Sequence, residues 1–184
     1  NIKQDLNWLE KLPKTDLHCH LGGFADTEGL IKIAIANLKY SGNTLEEKKL
    51  ERSTINAIQK NDLNKLKAIW KTISTRENKV RWLLVSLYLR CFEGKEKLLE
   101  QVIWNNLLQE DNFVDIGLEN YEEIGDFQGS SLLQTEEALR EICHQLKDDA
   151  KKNNLRYKEL RCSPCNYTNK LKATEVVEIL YDEL

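Results

Sequence analysis

Two of the three histidines in this sequence lie two residues apart in "LPKTDLHCHLGG", at His18 and His20. If residues 15–21 form a strand, alternation sends both imidazoles to one face and Cys19 to the other. Paired neutral imidazoles on one rigid face are ready ligands for zinc or another divalent transition metal. On its own the H-x-H pattern is equally met by a surface strand with two solvated histidines. The elements that would position the pair must therefore decide between the two readings.

Those elements belong to a chain of 184 residues, long enough to bury a core as one domain. The formal net charge is −3, so no basic field is offered to nucleic acid or to an anionic membrane. No apolar run approaches the roughly 18 residues needed to span a bilayer. The opening "NIKQDLNWLEKL" is amphipathic and charged, unlike a secretory signal. Five scattered cysteines suit reduced thiols in the cytoplasm better than a disulfide framework. The chain opens on Asn, contains no Met, and stops at Leu184 in "VVEILYDEL", within an amphipathic helix. We therefore expect a fragment of a larger protein.

Periodicity predicts a short helix over 3–11, the strand "KTDLHCHL", and a helix from Thr27 to Tyr40 capped by Asp26 or Thr27. Helices follow over 44–60, 62–74, 77–92 and 94–109, the third apolar on most sides and so expected to be buried. Residues 112–133 read as irregular. A helix over 134–153 opens on Thr135, then come the strand "LRYKELRCS", a loop after Pro164 and a helix from about 173. Strand, helices, strand, helix is the grammar of parallel α/β folds. In a (β/α) barrel the functional groups sit at the carboxyl ends of strands, where His20 and Ser163 fall.

At this point two segments resemble a known family. "LPKTDLHCHLGG" is similar to the first-strand motif of the adenosine deaminase superfamily, a Pro-Lys lead-in and a strand ending H-x-H-L-x-G. "LRYKELRCSP" resembles the family's second-strand motif, and "QTEEALREICHQLKDDAKKNN" the helix before it. The likeness covers about 12–30 and 125–167, whereas about 41–112 looks like a helical insertion. It implies the N-terminal part of a (β/α)8 TIM-type barrel, interrupted by that insertion and completed outside residues 1–184. It also implies one divalent metal, usually zinc, that activates water to attack C6 of adenine.

By the same resemblance His18 and His20 are the first two metal ligands, with His20, Gly22 and Phe127 beside the substrate. The family's other groups are a third His ligand, a proton-shuttling Glu, an orienting His and an Asp ligand. They belong to later strands, so the catalytic residues are expected downstream of Leu184. None is locatable before it, because His144 falls inside the 134–153 helix and reads as a surface or packing histidine. A metal with two ligands and no general base cannot hydrolyse anything, so the fragment alone should be inactive.

The adenosine-specific members of the family place Asp where this chain has Gly22, against the ribose 5′-hydroxyl. Its absence removes an acceptor for the free nucleoside and a charge that would repel a 5′-phosphate. Two charges about 4 Å apart at an effective dielectric near 20 interact by roughly 4 kcal/mol. AMP deaminases also lack this carboxylate, so an adenine nucleotide (ATP or AMP) is favoured over adenosine. The alternative is that Gly22 and Gly23 simply make a turn. The long insertion and "DFQGSSLLQ" further resemble the large prokaryotic adenosine deaminases of antiphage defence, the RADAR-type and CRISPR-associated ones. That likeness implies a homo-oligomer, with Phe127 as an apolar gate or, equally, a core residue.

Other signals carry less. Cys162 and Cys165 form one C-x-x-C, which cannot close a four-thiolate site without a second pair. Glu159 and Arg161 share a strand face as a buried ion pair or, less simply, as a phosphate contact. Trp70, Trp82 and Trp104 read as core or subunit interface. Two other functions remain open: a different amidohydrolase-type metal hydrolase, and a deaminase-derived scaffold that has lost catalysis.

Overall fold

The computed structural model describes residues 8–104 and 131–184. It is a mixed α/β structure, mostly helical, around a small two-stranded parallel sheet. Strand β1 (Lys14–His20) pairs with β2 (Leu155–Arg161), with His20 opposite Arg161 and Cys19 opposite Leu160. Among the described residues no helix is long and apolar enough to cross a membrane.

Among the described residues the helices occupy the stretches that their periodicity marks; most of the expected helix over 3–11, the end of that over 94–109 and most of the irregular stretch 112–133 lie outside the described residues. A 3-10 turn, Leu21–Gly23, leads to α1 (Thr27–Ala36), which Asp26 caps by accepting from the Gly29 N–H at 2.8 Å. A further 3-10 turn, Asn37–Tyr40, ends that segment. Then come α2 (Leu45–Gln59), α3 (Leu63–Ser74), α4 (Asn78–Arg90) and α5 (Glu96–Trp104). Further along, α6 (Glu136–Lys152) opens on the Thr135 cap and runs into β2, followed by α7 (Ala173–Glu183). Leu184 stays attached to α7, its N–H donating to the Leu180 carbonyl at 3.1 Å while its side chain is exposed. Asn43, Asn61 and Asn154 take positive φ just before α2, α3 and β2, the left-handed region that Asn tolerates better than most residues.

Helices α2 to α5, where a helical insertion is expected, are not an appendage. α4 is buried on most sides, with Trp82, Val85, Tyr88 and Leu89 in the interior. A single apolar cluster joins Leu66 of α3, Tyr88 of α4 and the nearby Phe92 to Leu30 and Ile33 of α1 and Leu139 and Ile142 of α6. A buried polar node ties the same parts together. Asn37 donates to the Ser86 hydroxyl at 3.0 Å and the Leu132 carbonyl at 2.9 Å, and its own oxygen accepts from Thr135 Oγ1 at 2.7 Å. Buried amides persist only where partnered in this way. Trp82 is core, packed edge-on to Tyr40, and Trp70 lies against Tyr88 at 6.0 Å between ring centroids. The side chain of Trp104 lies outside the described residues.

Strict alternation in β1 does not survive. Between the pairs Asp16–Lys158 and Cys19–Leu160 the first strand carries one residue more than the second, a bulge at Leu17 and His18. Asp16 Oδ1 accepts from the His18 N–H at 3.1 Å, satisfying a donor that the bulge frees from the ladder. Asp16 and Cys19 consequently both turn toward the helices. Lys158 reaches Asp16 at 3.6 Å and Asp149 of α6 at 3.0 Å, with its ammonium 4.5 Å over the Phe24 ring. Leu17, which alternation alone would place beside Cys19 in the core, is 60% exposed.

Candidate metal-binding face

His18 and His20 sit at the carboxyl end of β1, both exposed, while Cys19 between them is buried at 8% exposure. Their Nε2 atoms are 2.8 Å apart, with ring centroids 4.8 Å apart and planes tilted by 40°. In the pair as it stands one Nε2 must carry the hydrogen and the other accept it. Two nitrogens bound to one zinc at about 2.0–2.1 Å lie about 2.8–3.4 Å apart for ligand angles between a right angle and tetrahedral, the short end belonging to the right angle. The two imidazoles therefore converge at close to the separation a shared ion demands, and the donor chemistry fits. Among the described residues no group of three His, Cys, Asp or Glu side chains is close enough to hold a metal, so the pair is half of a site at most. The catalytic groups expected downstream of Leu184 lie outside the described residues, and none of the described residues takes their place beside the histidines.

Local structure explains the convergence. The bulge at Leu17 and His18 re-aims the strand, and His20 returns to register opposite Arg161 before the chain turns at Leu21. Leu21 is buried and anchors that turn. Gly22 lies in the 3-10 turn and lines a small apolar void with Leu21, Ala25 and Ile142. Its φ is not in the left-handed region, since among the described glycines only Gly94 has positive φ. The turn alone does not demand glycine at 22. Phe127 lies outside the described residues.

Alongside the histidines, β2 presents a polar row that residue types alone reveal only in part. The Tyr157 hydroxyl donates to Glu159 Oε1 at 3.1 Å, and Arg161 approaches Glu159 Oε2 at 3.7 Å. That hydrogen bond raises the Tyr157 pKa above the usual phenol range, because ionising the phenol would break it. The Glu159–Arg161 pair exists, but it is not buried: the side chains are 43% and 51% exposed. Tyr157 was missed from the sequence, although its spacing of two from Glu159 signals it.

The remaining candidates stay apart from this face. His144 lies on α6 and is 58% exposed, 3.5 Å from Glu183, in the surface role expected of it. Cys162 and Cys165 are free and exposed, and desolvation raises the Cys162 thiol pKa, which disfavours the thiolate that would bind metal or react. Burial raises the Cys19 thiol as well, marking it as packing. No protein-family model matches the chain, and no curated protein matches it.

Proposed function

We propose that this chain is the N-terminal part of a metal-dependent purine deaminase that converts adenosine or an adenine nucleotide to the inosine form. The observation that carries the reading is the 2.8 Å approach of the His18 and His20 Nε2 atoms at the carboxyl end of β1. Two features add support. The motif segments "LPKTDLHCHLGG" and "LRYKELRCSP" become adjacent parallel strands, the order a (β/α)8 barrel of this family requires. Parallel sheets are covered on both faces, yet here Leu17 and Tyr157 stand 60% and 53% exposed opposite the helical layer. Further strands closing a barrel would enclose that face and bring the remaining ligands and the general base.

In that setting His18 and His20 would hold the ion through Nε2, and a bound divalent ion would supply the activation of water needed for attack at C6. The chain's own residues fix the pair: the Asp16 carboxylate holds the His18 backbone, and buried Cys19 and Leu21 pin the strand end to the helices. Without a carboxylate at position 22, a substrate bearing a 5′-phosphate meets no repulsion there. A cytoplasmic homo-oligomer acting in antiphage defence is the biological setting this reading favours. The test is to purify the intact protein, measure divalent metal per subunit, and follow deamination of adenosine, AMP and ATP by chromatography. About one ion per subunit with inosine or its nucleotide as product is expected. A metal-free protein, inert toward all of them after zinc addition, would sink the proposal.

A further inference from the structure

We infer that Arg161 is the side chain that receives the substrate's 5′-phosphate, an assignment that rests on the deaminase reading and deepens it. Arg161 is the last residue of β2 and lies directly across the strand pair from His20. Neighbouring strands run about 4.8 Å apart, so its backbone lies about one strand's width from that of a candidate metal ligand, and its side chain extends from there. Its side chain is 51% exposed at the carboxyl end of the sheet.

Among the described residues the guanidinium is held but not used up. Its ion-pair contact among the described residues is Glu159, at 3.7 Å. Direct charge-assisted hydrogen bonds are about 2.7–2.9 Å long, so this contact orients the guanidinium without consuming its five donors. Glu159 is itself fixed, since its other oxygen accepts from the Tyr157 hydroxyl at 3.1 Å. Arg140 on α6 differs in kind, for it is engaged by both Glu136 and Glu183. A planar fork steadied by one carboxylate and, among the described residues, open on its remaining edges matches the geometry of a phosphate. Position 22, on the turn that follows His20, offers no competing negative charge.

The experiment compares kcat/KM for AMP and for adenosine in the intact protein and in Arg161→Gln and Arg161→Lys, with thermal melting as a check on folding. Arg161→Gln should lower kcat/KM for AMP about 10- to 100-fold while leaving adenosine within a factor of about two, the span of one charge-assisted contact. Arg161→Lys should recover part of the loss. Calorimetry with the reaction product IMP should show weakened binding in Arg161→Gln, whereas inosine should bind unchanged. Equal losses for AMP and adenosine, or no change in either, would overturn the assignment while leaving the deaminase reading intact. A parent protein that accepts adenosine but no nucleotide would overturn it as well. If the parent deaminates neither compound, the deaminase reading falls and takes this assignment with it.

Discussion

On the proposed reading each histidine of the pair has a replaceable role in folding and an irreplaceable one in binding. Both are exposed, so removing a ring costs little packing. His18→Ala or His20→Ala should leave the melting temperature within a few degrees of the parent. Metal affinity should fall by at least about 100-fold, since losing a mere supporting hydrogen bond already costs 10- to 100-fold. Dialysis against a competing chelator measures this. Lys158 is the opposite case, a residue of packing and charge with no ligand role. Its ammonium serves Asp16 and Asp149 from a side chain only 12% exposed. Lys158→Met leaves two carboxylates facing each other, and because both are partly solvated the expected loss is about 1–2 kcal/mol in urea unfolding.

The elements hold together through their ends. Thr44 caps α2 by accepting from the Glu47 N–H, and the Glu47 carboxylate returns to the Thr44 N–H and the Ser41 hydroxyl. Burial pushes the Glu47 pKa upward, but hydrogen bonds from Ser41 and from the Thr44, Gly42 and Asn43 backbone outweigh it and hold the carboxyl below its usual range. A lowered folded-state pKa gives stability that is full above the unfolded value of about 4.3 and fades as pH falls through the folded value. Glu47→Gln should therefore flatten the acid limb of the stability–pH curve below about pH 5. Thr44→Ala should cost about 1 kcal/mol at neutral pH, read from urea midpoints. These ends are largely legible in the sequence: Asp26, Thr135 and the stretches around 44 and 62 are polar caps ahead of periodic runs, and all four open helices. The β1 bulge is not legible there. Its cause is the pairing with a strand more than a hundred residues away, and nothing local in "KTDLHCH" distinguishes a bulged strand from a regular one. For the same reason alternation placed the histidines on a common face while misplacing Leu17.

At the scale of the molecule, one apolar cluster and one polar node tie helices α2 to α5 to the sheet and its helices. Asn37, Ser86 and Thr135 are all fully buried and satisfy one another where the end of α1, the middle of α4 and the start of α6 meet. Asn37→Ala opens a cavity and strips partners from the Ser86 hydroxyl and the Leu132 carbonyl, an expected loss of about 2–3 kcal/mol. Helices α2 to α5 and the sheet should unfold in a single transition when followed by Trp82 fluorescence and by far-ultraviolet circular dichroism. Two separated transitions would mean that they fold apart. The burial of α4 can be read from its apolar sequence, but where it packs cannot. That place is fixed by the match between apolar faces of distant helices, a property of pairs that no single segment displays.

The central claim is that His18 and His20 share an ion. Anomalous diffraction recorded on either side of the zinc absorption edge, from crystals of the intact protein grown with zinc, tests it most directly. A peak within about 2.0–2.1 Å of both Nε2 atoms is the expected result. Well-ordered imidazoles with no anomalous density between them, or a metal held elsewhere while the two rings face solvent, would contradict it.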